Sequence, residues 1–151
     1  REKLLVNEVI LEIVDKMKFK AQQRGGDVKL IMGTELIYIN ADRVHFTNCI
    51  SNLIDNAEKY SPDVPEVELE VVNMNKSISV TVRDKGLGVK KEHINKIFDK
   101  LYRVPTGNLH NVKGFGLGLS YVKAICDLHH WNISVQSKYG EGSTFTIEIK
   151  K

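Results

Sequence analysis

Segments with strand-like alternation and segments with helical spacing are interleaved along this chain, yet most neighbouring strands are separated only by short turns. Short turns join antiparallel strands, because a parallel pair needs a crossover of about a dozen residues or more. The pattern therefore predicts an α+β fold: a two-layer α/β sandwich with a mixed, mostly antiparallel sheet and helices on one face. The alternation is clearest from Ser77 to Arg83, where Ile78, Val80 and Val82 are set against Ser79, Thr81 and Arg83, as one dry and one wet face require. Its partner is Val67 to Val72, across Asn73-Met74-Asn75-Lys76. Asn132 to Ser137 and Thr144 to Ile149 form a second pair around Tyr139-Gly140-Glu141-Gly142, and Val28 to Met32 with Glu35 to Asn40 reads as a short hairpin around Gly33-Thr34.

Helical spacing marks residues 3–24, stopped by Gly25-Gly26, and a stretch capped by Asp42 that runs to about Tyr60, where Ser61-Pro62 ends it. A brief helix is expected over 92–98 and another over 115–130. From Asp99 to about Lys113 the periodicity gives way to Pro, Gly and Asn, which makes that connection a candidate functional loop.

A chain of 151 residues with 42% hydrophobic content suits a single domain, 1–151, whose core needs no disulfide or metal. The formal charge of +3, without a basic run, makes neither nucleic acid nor a membrane surface an expected partner. Cys49 and Cys126 each lie in an apolar helical stretch and read as buried thiols of a reducing compartment. No apolar run approaches the roughly 20 residues of a membrane span. The charged start Arg1-Glu2-Lys3 leads into a segment broken by Asn7, Glu8 and Glu12, unlike a signal peptide. The chain is expected to be soluble and cytoplasmic.

Four stretches carry candidate chemistry. In the second helix Phe46, Ile50, Leu53 and Ala57 form a core stripe, while Asn48, Asn52, Asn56 and Lys59 fall on the opposite one. Amide oxygens in a row beside an ammonium suit a hard cation and its phosphates, although a solvated polar face gives the same pattern. Counting by twos from Ile78 puts Asp84 on the inward face at its strand's end, followed by Gly86 and Gly88. An inward carboxylate needs a donor, which the amino group of a purine would supply and which an ordinary Asp-Lys-Gly turn would not require. Gly114-Phe115-Gly116-Leu117-Gly118-Leu119 opens a helix and offers free N–H groups to an anion, but matches neither a Walker loop nor a dinucleotide fingerprint. Gly140-Glu141-Gly142-Ser143-Thr144 is a tight turn that is either a plain hairpin or a further phosphate or base contact.

Taken in order, Asn52-Leu53-Ile54-Asp55-Asn56-Ala57-Glu58-Lys59-Tyr60, Asp84-Lys85-Gly86-Leu87-Gly88, Gly114 to Leu119 and Gly140 to Thr144 resemble the N box and three glycine boxes of sensor histidine kinases. Ile97-Phe98-Asp99-Lys100-Leu101-Tyr102-Arg103 resembles the family's F box. The resemblance implies the fold shared with gyrase-type ATPases, with ATP between the layers under a lid. On it, Asp84 would hold the adenine amino group in a pocket shaped by Gly86 and Gly88, and Asn56 would bind magnesium. Asn52 would help position metal and phosphates, Lys59 would contact phosphate, and Tyr60 would line the base pocket. Arg103 and Lys113 would reach phosphate from the lid. Gly114, Phe115, Gly116, Leu117, Gly118 and Leu119 would form the hinge and the start of the next helix, and Thr144 would lie near the base. Leu101 stands where the F box often has Phe and Lys85 where the glycine box often has Asn, which touches lid packing and the pocket edge.

Asn52 occupies the position at which related ATPases that hydrolyse ATP are expected to carry a glutamate base, so transfer is favoured over hydrolysis. His45, His93, His110, His129 and His130 do not match the family's acceptor setting of His before an acidic residue. The acceptor is therefore expected on a separate dimerisation domain of the same kinase, with a cognate response regulator downstream, a monomeric fragment and a homodimeric parent. The alternatives are an anti-sigma-factor-type serine kinase, which should carry that glutamate, and a non-catalytic nucleotide-binding module.

Overall fold

The computed structural model describes residues 1–99 and 118–151. In chain order the elements are β1 (Glu2–Leu5), α1 (Val6–Gln22), β2 (Asp27–Met32), β3 (Tyr38–Ala41), α2 (Arg43–Lys59), β4 (Glu66–Asn73), β5 (Ser77–Asp84), α3 (Lys91–Ile94), α4 (Gly118–His129), β6 (Asn132–Lys138) and β7 (Gly142–Lys150). The main sheet has the order β2-β4-β5-β7-β6; β2 and β4 are parallel and the other neighbours antiparallel. This is the mixed, mostly antiparallel sheet expected from the sequence.

Two local expectations are corrected. Val28 to Met32 does not form a hairpin with the segment after Gly33-Thr34: β2 runs parallel to β4, with Val28 opposite Val67 and Leu30 opposite Leu69. The intervening α2 supplies the crossover length that a parallel pair requires. β3 instead pairs antiparallel with β1, in a two-stranded sheet where Leu4 lies opposite Ile39. Consequently residues 3–5 are strand, and α1 starts at Val6, whose N–H donates to the Ile37 carbonyl.

The helices bury one stripe each, as their spacing dictates. α1 contributes Val9, Ile10, Ile13 and Met17, α2 contributes Phe46, Ile50, Leu53 and Ile54, and α4 contributes Val122, Ile125 and Cys126. These meet Val67, Leu69, Val80, Val82, Phe145 and Ile147 of the sheet. Each large side chain withdrawn from water in this way contributes about 1.5–3 kcal/mol. The other face of the sheet is polar, with Arg83 donating to Glu68 and Glu70 at 2.9 Å each. Cys49 and Cys126 are free and buried. No helix among the described residues is long and apolar enough to cross a membrane.

α2 begins at Asp42, whose carboxylate accepts the His45 N–H, and ends at Tyr60. Arg24 clamps the exit from the helix by donating to the carbonyls of Glu58, Ser61 and Asp63. Glu58 itself is buried, with one carboxyl oxygen lacking a hydrogen-bond partner. Burial pushes its carboxyl from the ordinary 4.5 to about 7, the nearby Lys20 charge offsetting only part of the effect. Because the folded value is raised, stability present below 4.5 is lost as the pH climbs through about 7. Glu58→Gln is therefore expected to raise the melting temperature at about pH 8 by more than at about pH 5, and equal gains at both would refute this account.

Candidate active site

Asp84 ends β5 on the face shared by Ile78, Val80 and Val82, directly opposite Ser143 of β7. Its carboxylate accepts the Gly86 N–H at 2.8 Å and a backbone bond from Ser143. Burial nevertheless raises its pKa above the ordinary carboxylate value, the two backbone bonds acting the other way. Two N–H donors leave acceptor positions on a carboxylate with up to about four lone-pair sites. This group is suited to take one more donor, such as the amino group of a ligand.

The loop after Asp84 is fastened on both sides. Leu87 donates its N–H to the Tyr60 carbonyl at 3.1 Å, so the glycine loop lies against the end of α2. On the other side the Gly140 N–H donates to the Leu87 carbonyl and the Val89 N–H to the Ser137 hydroxyl, tying the loop to the end of β6 and the turn that follows it. Gly86 approaches α2 so closely that a Cβ there would stand 2.5 Å from the Tyr60 carbonyl oxygen. Its glycine is thus required by the chain's own packing. Gly88 lies against the carbonyl of Lys138, the last residue of β6.

On α2, Asn52, Asn56 and Lys59 are partly exposed along one side. The Asn52 amide oxygen faces Gly118, the first residue of α4, where a Cβ would stand 3.4 Å from it. Asn48, one turn before Asn52, donates to the Tyr121 hydroxyl of α4. Lys59 pairs with Asp55 at 2.9 Å. Tyr60 is half-buried at the C-terminus of α2, and Leu119 packs against the core. The fold therefore brings Tyr60 to Gly86 and Asn52 to Gly118, at two places along one helix.

Thr144 lines a surface hollow together with Asp84. It pairs with Arg83 on β5, and by strand alternation its side chain belongs to the polar face of the sheet. Ser143, one residue earlier, shares the inner face with Phe145 and lies beside Asp84. Counting by twos back from Ile149, Ile147 and Phe145 would have found it. Arg103, Lys113, Gly114, Phe115, Gly116 and Leu117, with Lys100, Leu101 and Tyr102 of the F box, lie outside the described residues.

A family model described as histidine kinase-, DNA gyrase B-, and HSP90-like ATPase matches residues 41–151. The chain is similar to Sensor protein RprX of Bacteroides fragilis, 39% identical over 150 residues that make up 98% of this chain and 29% of that protein. It is also similar to Sensor protein SrrB of Staphylococcus aureus, 31% identical over 94% of this chain and 25% of that one. The chain thus spans less than a third of the length of these relatives. Among solved structures it resembles the catalytic domain of histidine kinase ThkA, with a TM-score of 0.84, 25% identity and coverage of 99% of this chain and 96% of that one. Full-length ShkA, determined in complex with AMPPNP, shares the fold at a TM-score of 0.81 and 21% identity, over 97% of this chain and 30% of that one.

Proposed function

The chain belongs to the histidine kinase-, DNA gyrase B- and HSP90-like ATPase family, and from that premise we propose that residues 1–151 are the ATP-binding catalytic domain of a two-component sensor histidine kinase. It transfers the γ-phosphate of ATP to a histidine on a separate dimerisation domain of the same kinase. The parent acts as a homodimer and passes the phosphoryl group to a cognate response regulator. The observation that carries this reading is Asp84: a half-buried inner-face carboxylate, held by Gly86 and Ser143, with acceptor capacity left for the adenine amino group.

Tyr60 and the 84–88 loop form the base end of the cleft, and Asn52 with Gly118 the phosphate end. The donor set fits a hard cation, since Asn52 and Asn56 offer amide oxygens one helical turn apart. Magnesium held by Asn52 and Asn56 would supply charge neutralisation for the phosphates. Lys59 adds an ammonium, and the N–H groups at the start of α4 add further donors. Phosphoryl transfer needs alignment and charge compensation rather than covalent help from the protein. Asn52 cannot take a proton from water, whereas a neutral imidazole brings its own lone pair, so transfer to histidine outruns hydrolysis.

Mixing the chain with a histidine-bearing dimerisation domain and labelled ATP tests the proposal. Acid-labile phosphohistidine is the expected product. Acid-stable phosphoserine on another partner would identify a serine kinase instead, and binding without transfer would leave a nucleotide-binding module. Asn56→Ala is expected to weaken magnesium-dependent ATP binding by about tenfold, comparable to losing one charge-assisted contact. Binding with undiminished magnesium dependence would remove Asn56 from the metal site.

A further inference from the structure

Asp55 lies one turn before Lys59 on α2, and its carboxylate engages two ammonium groups on separate oxygens. Oδ1 accepts from Lys20 of α1, and Oδ2 lies 2.9 Å from Nζ of Lys59. Burial raises the Asp55 carboxyl, but the bonds from Lys20 and Lys59 outweigh it and hold the group below the usual carboxylate range. The Asp55 side chain is only 23% exposed, so the pair is partly withdrawn from the water and salt that screen an open surface contact.

The position of this carboxylate along the helix matters. Lys59 is the last residue of α2, next to Tyr60 and the glycine loop, at the base end of the cleft. An unrestrained ammonium on a four-carbon stem would sweep that whole region, and fixing it forfeits rotamer entropy. The bond to Asp55 draws it back about one turn, roughly 5–6 Å, toward Asn52 and Asn56. Lys20 has a second effect. Two ammonium groups around one carboxylate leave a net positive charge, whereas Asp55 and Lys59 alone would be neutral and would set a carboxylate beside incoming phosphates.

We propose that Asp55 is a positioning residue which, oriented by Lys20, holds the Lys59 ammonium over the phosphate end of α2 and away from the base end. The inference rests on the reading of Lys59 as a phosphate contact. It joins α1, which supplies Lys20, to the site on α2.

Calorimetric titration of the full chain with magnesium-ATP and with adenosine tests it. Asp55→Asn is expected to weaken ATP about fivefold, the upper range for a partly exposed ion pair, while adenosine, which has no phosphate, binds as before. Asp55→Glu should restore most of the affinity, and Lys20→Ala should weaken ATP about threefold. In a Lys59→Ala background Asp55→Asn should have no further effect, since a positioning residue acts only through the group it positions. Unchanged ATP affinity in Asp55→Asn, a parallel loss of adenosine, or an undiminished loss in the Lys59→Ala background each overturns the proposal. Lys59→Ala binding ATP like the parent chain would instead remove Lys59 from the phosphate site, a failure that the single variant reports by itself.

Discussion

Asp84→Asn is expected to abolish measurable ATP binding while leaving the fold intact. The substitution keeps one acceptor oxygen, which with its two lone pairs can serve the Gly86 and Ser143 N–H groups, but replaces the other by an NH2 donor. Facing a purine amino group, that donor meets a donor, and a charge-assisted bond in a half-buried pocket becomes a repulsive contact. Disrupting one side of such a bond costs about 2–5 kcal/mol, so affinity should fall by a hundredfold or more. Stability should move the other way. The Asp84 carboxyl has a raised pKa, so its contribution is present below the ordinary carboxylate value and lost as the pH rises through the folded value. At neutral pH the parent chain therefore carries a destabilising buried charge that the amide lacks. Melting curves with and without ATP should show a higher midpoint for the variant alone and no ATP-induced shift. An ATP-induced shift as large as the parent's would refute the role assigned to this carboxylate.

Gly142→Ala should have the largest effect on stability. Gly142 has φ +107°, outside the range that L side chains adopt, and a Cβ there would stand 2.1 Å from the Asp84 carbonyl oxygen. The neighbouring atom is backbone at the end of β5, so no side chain can swing aside. Backbone strain and the displaced strand end together should cost about 3 kcal/mol or more, a fall of about 6–12 °C in melting temperature for a domain of this size. Gly140 provides the control. Its φ is also positive at +88°, but a Cβ there would meet nothing, so Gly140→Ala should cost about 1 kcal/mol. Equal losses in the two variants would show that conformation alone, without the collision, explains both. Because Asp84 sits on the displaced strand end, Gly142→Ala should also lose ATP affinity, which Gly140→Ala should keep.

Legibility in the sequence followed the range of the interactions involved. α2 was readable from its ends, since Asp42 and Ser61-Pro62 act within a few residues of where they stand. β4 and β5, and likewise β6 and β7, were readable because alternation and a short turn define an antiparallel pair locally. The parallel pairing of β2 with β4 was not, because the Gly33-Thr34 turn is a local signal and the crossover through α2 is not. At the site, the inward direction of Asp84 came from counting along one strand. The same count on β7 leads to Ser143, although the resemblance pointed to Thr144. The need for glycine at position 86 was hidden, because the carbonyl that excludes a side chain arrives from Tyr60. Asp55 was overlooked as well, since its partner Lys20 belongs to another helix, 35 residues earlier.

The parallel seam between β2 and β4 sets where this chain can be cut. The stretch matched by the family model, 41–151, begins after β1, α1, β2 and most of β3. A fragment trimmed to it would strip Val67, Leu69 and Val71 of their flanking strand and would uncover the side of α2 on which α1 rests. It would also open a long unprotected sheet edge, the kind of surface on which chains aggregate. The limits of the recognisable sequence signature therefore fall inside the cooperative unit, and a truncation guided by them would yield an insoluble product even with every nucleotide-contacting residue retained.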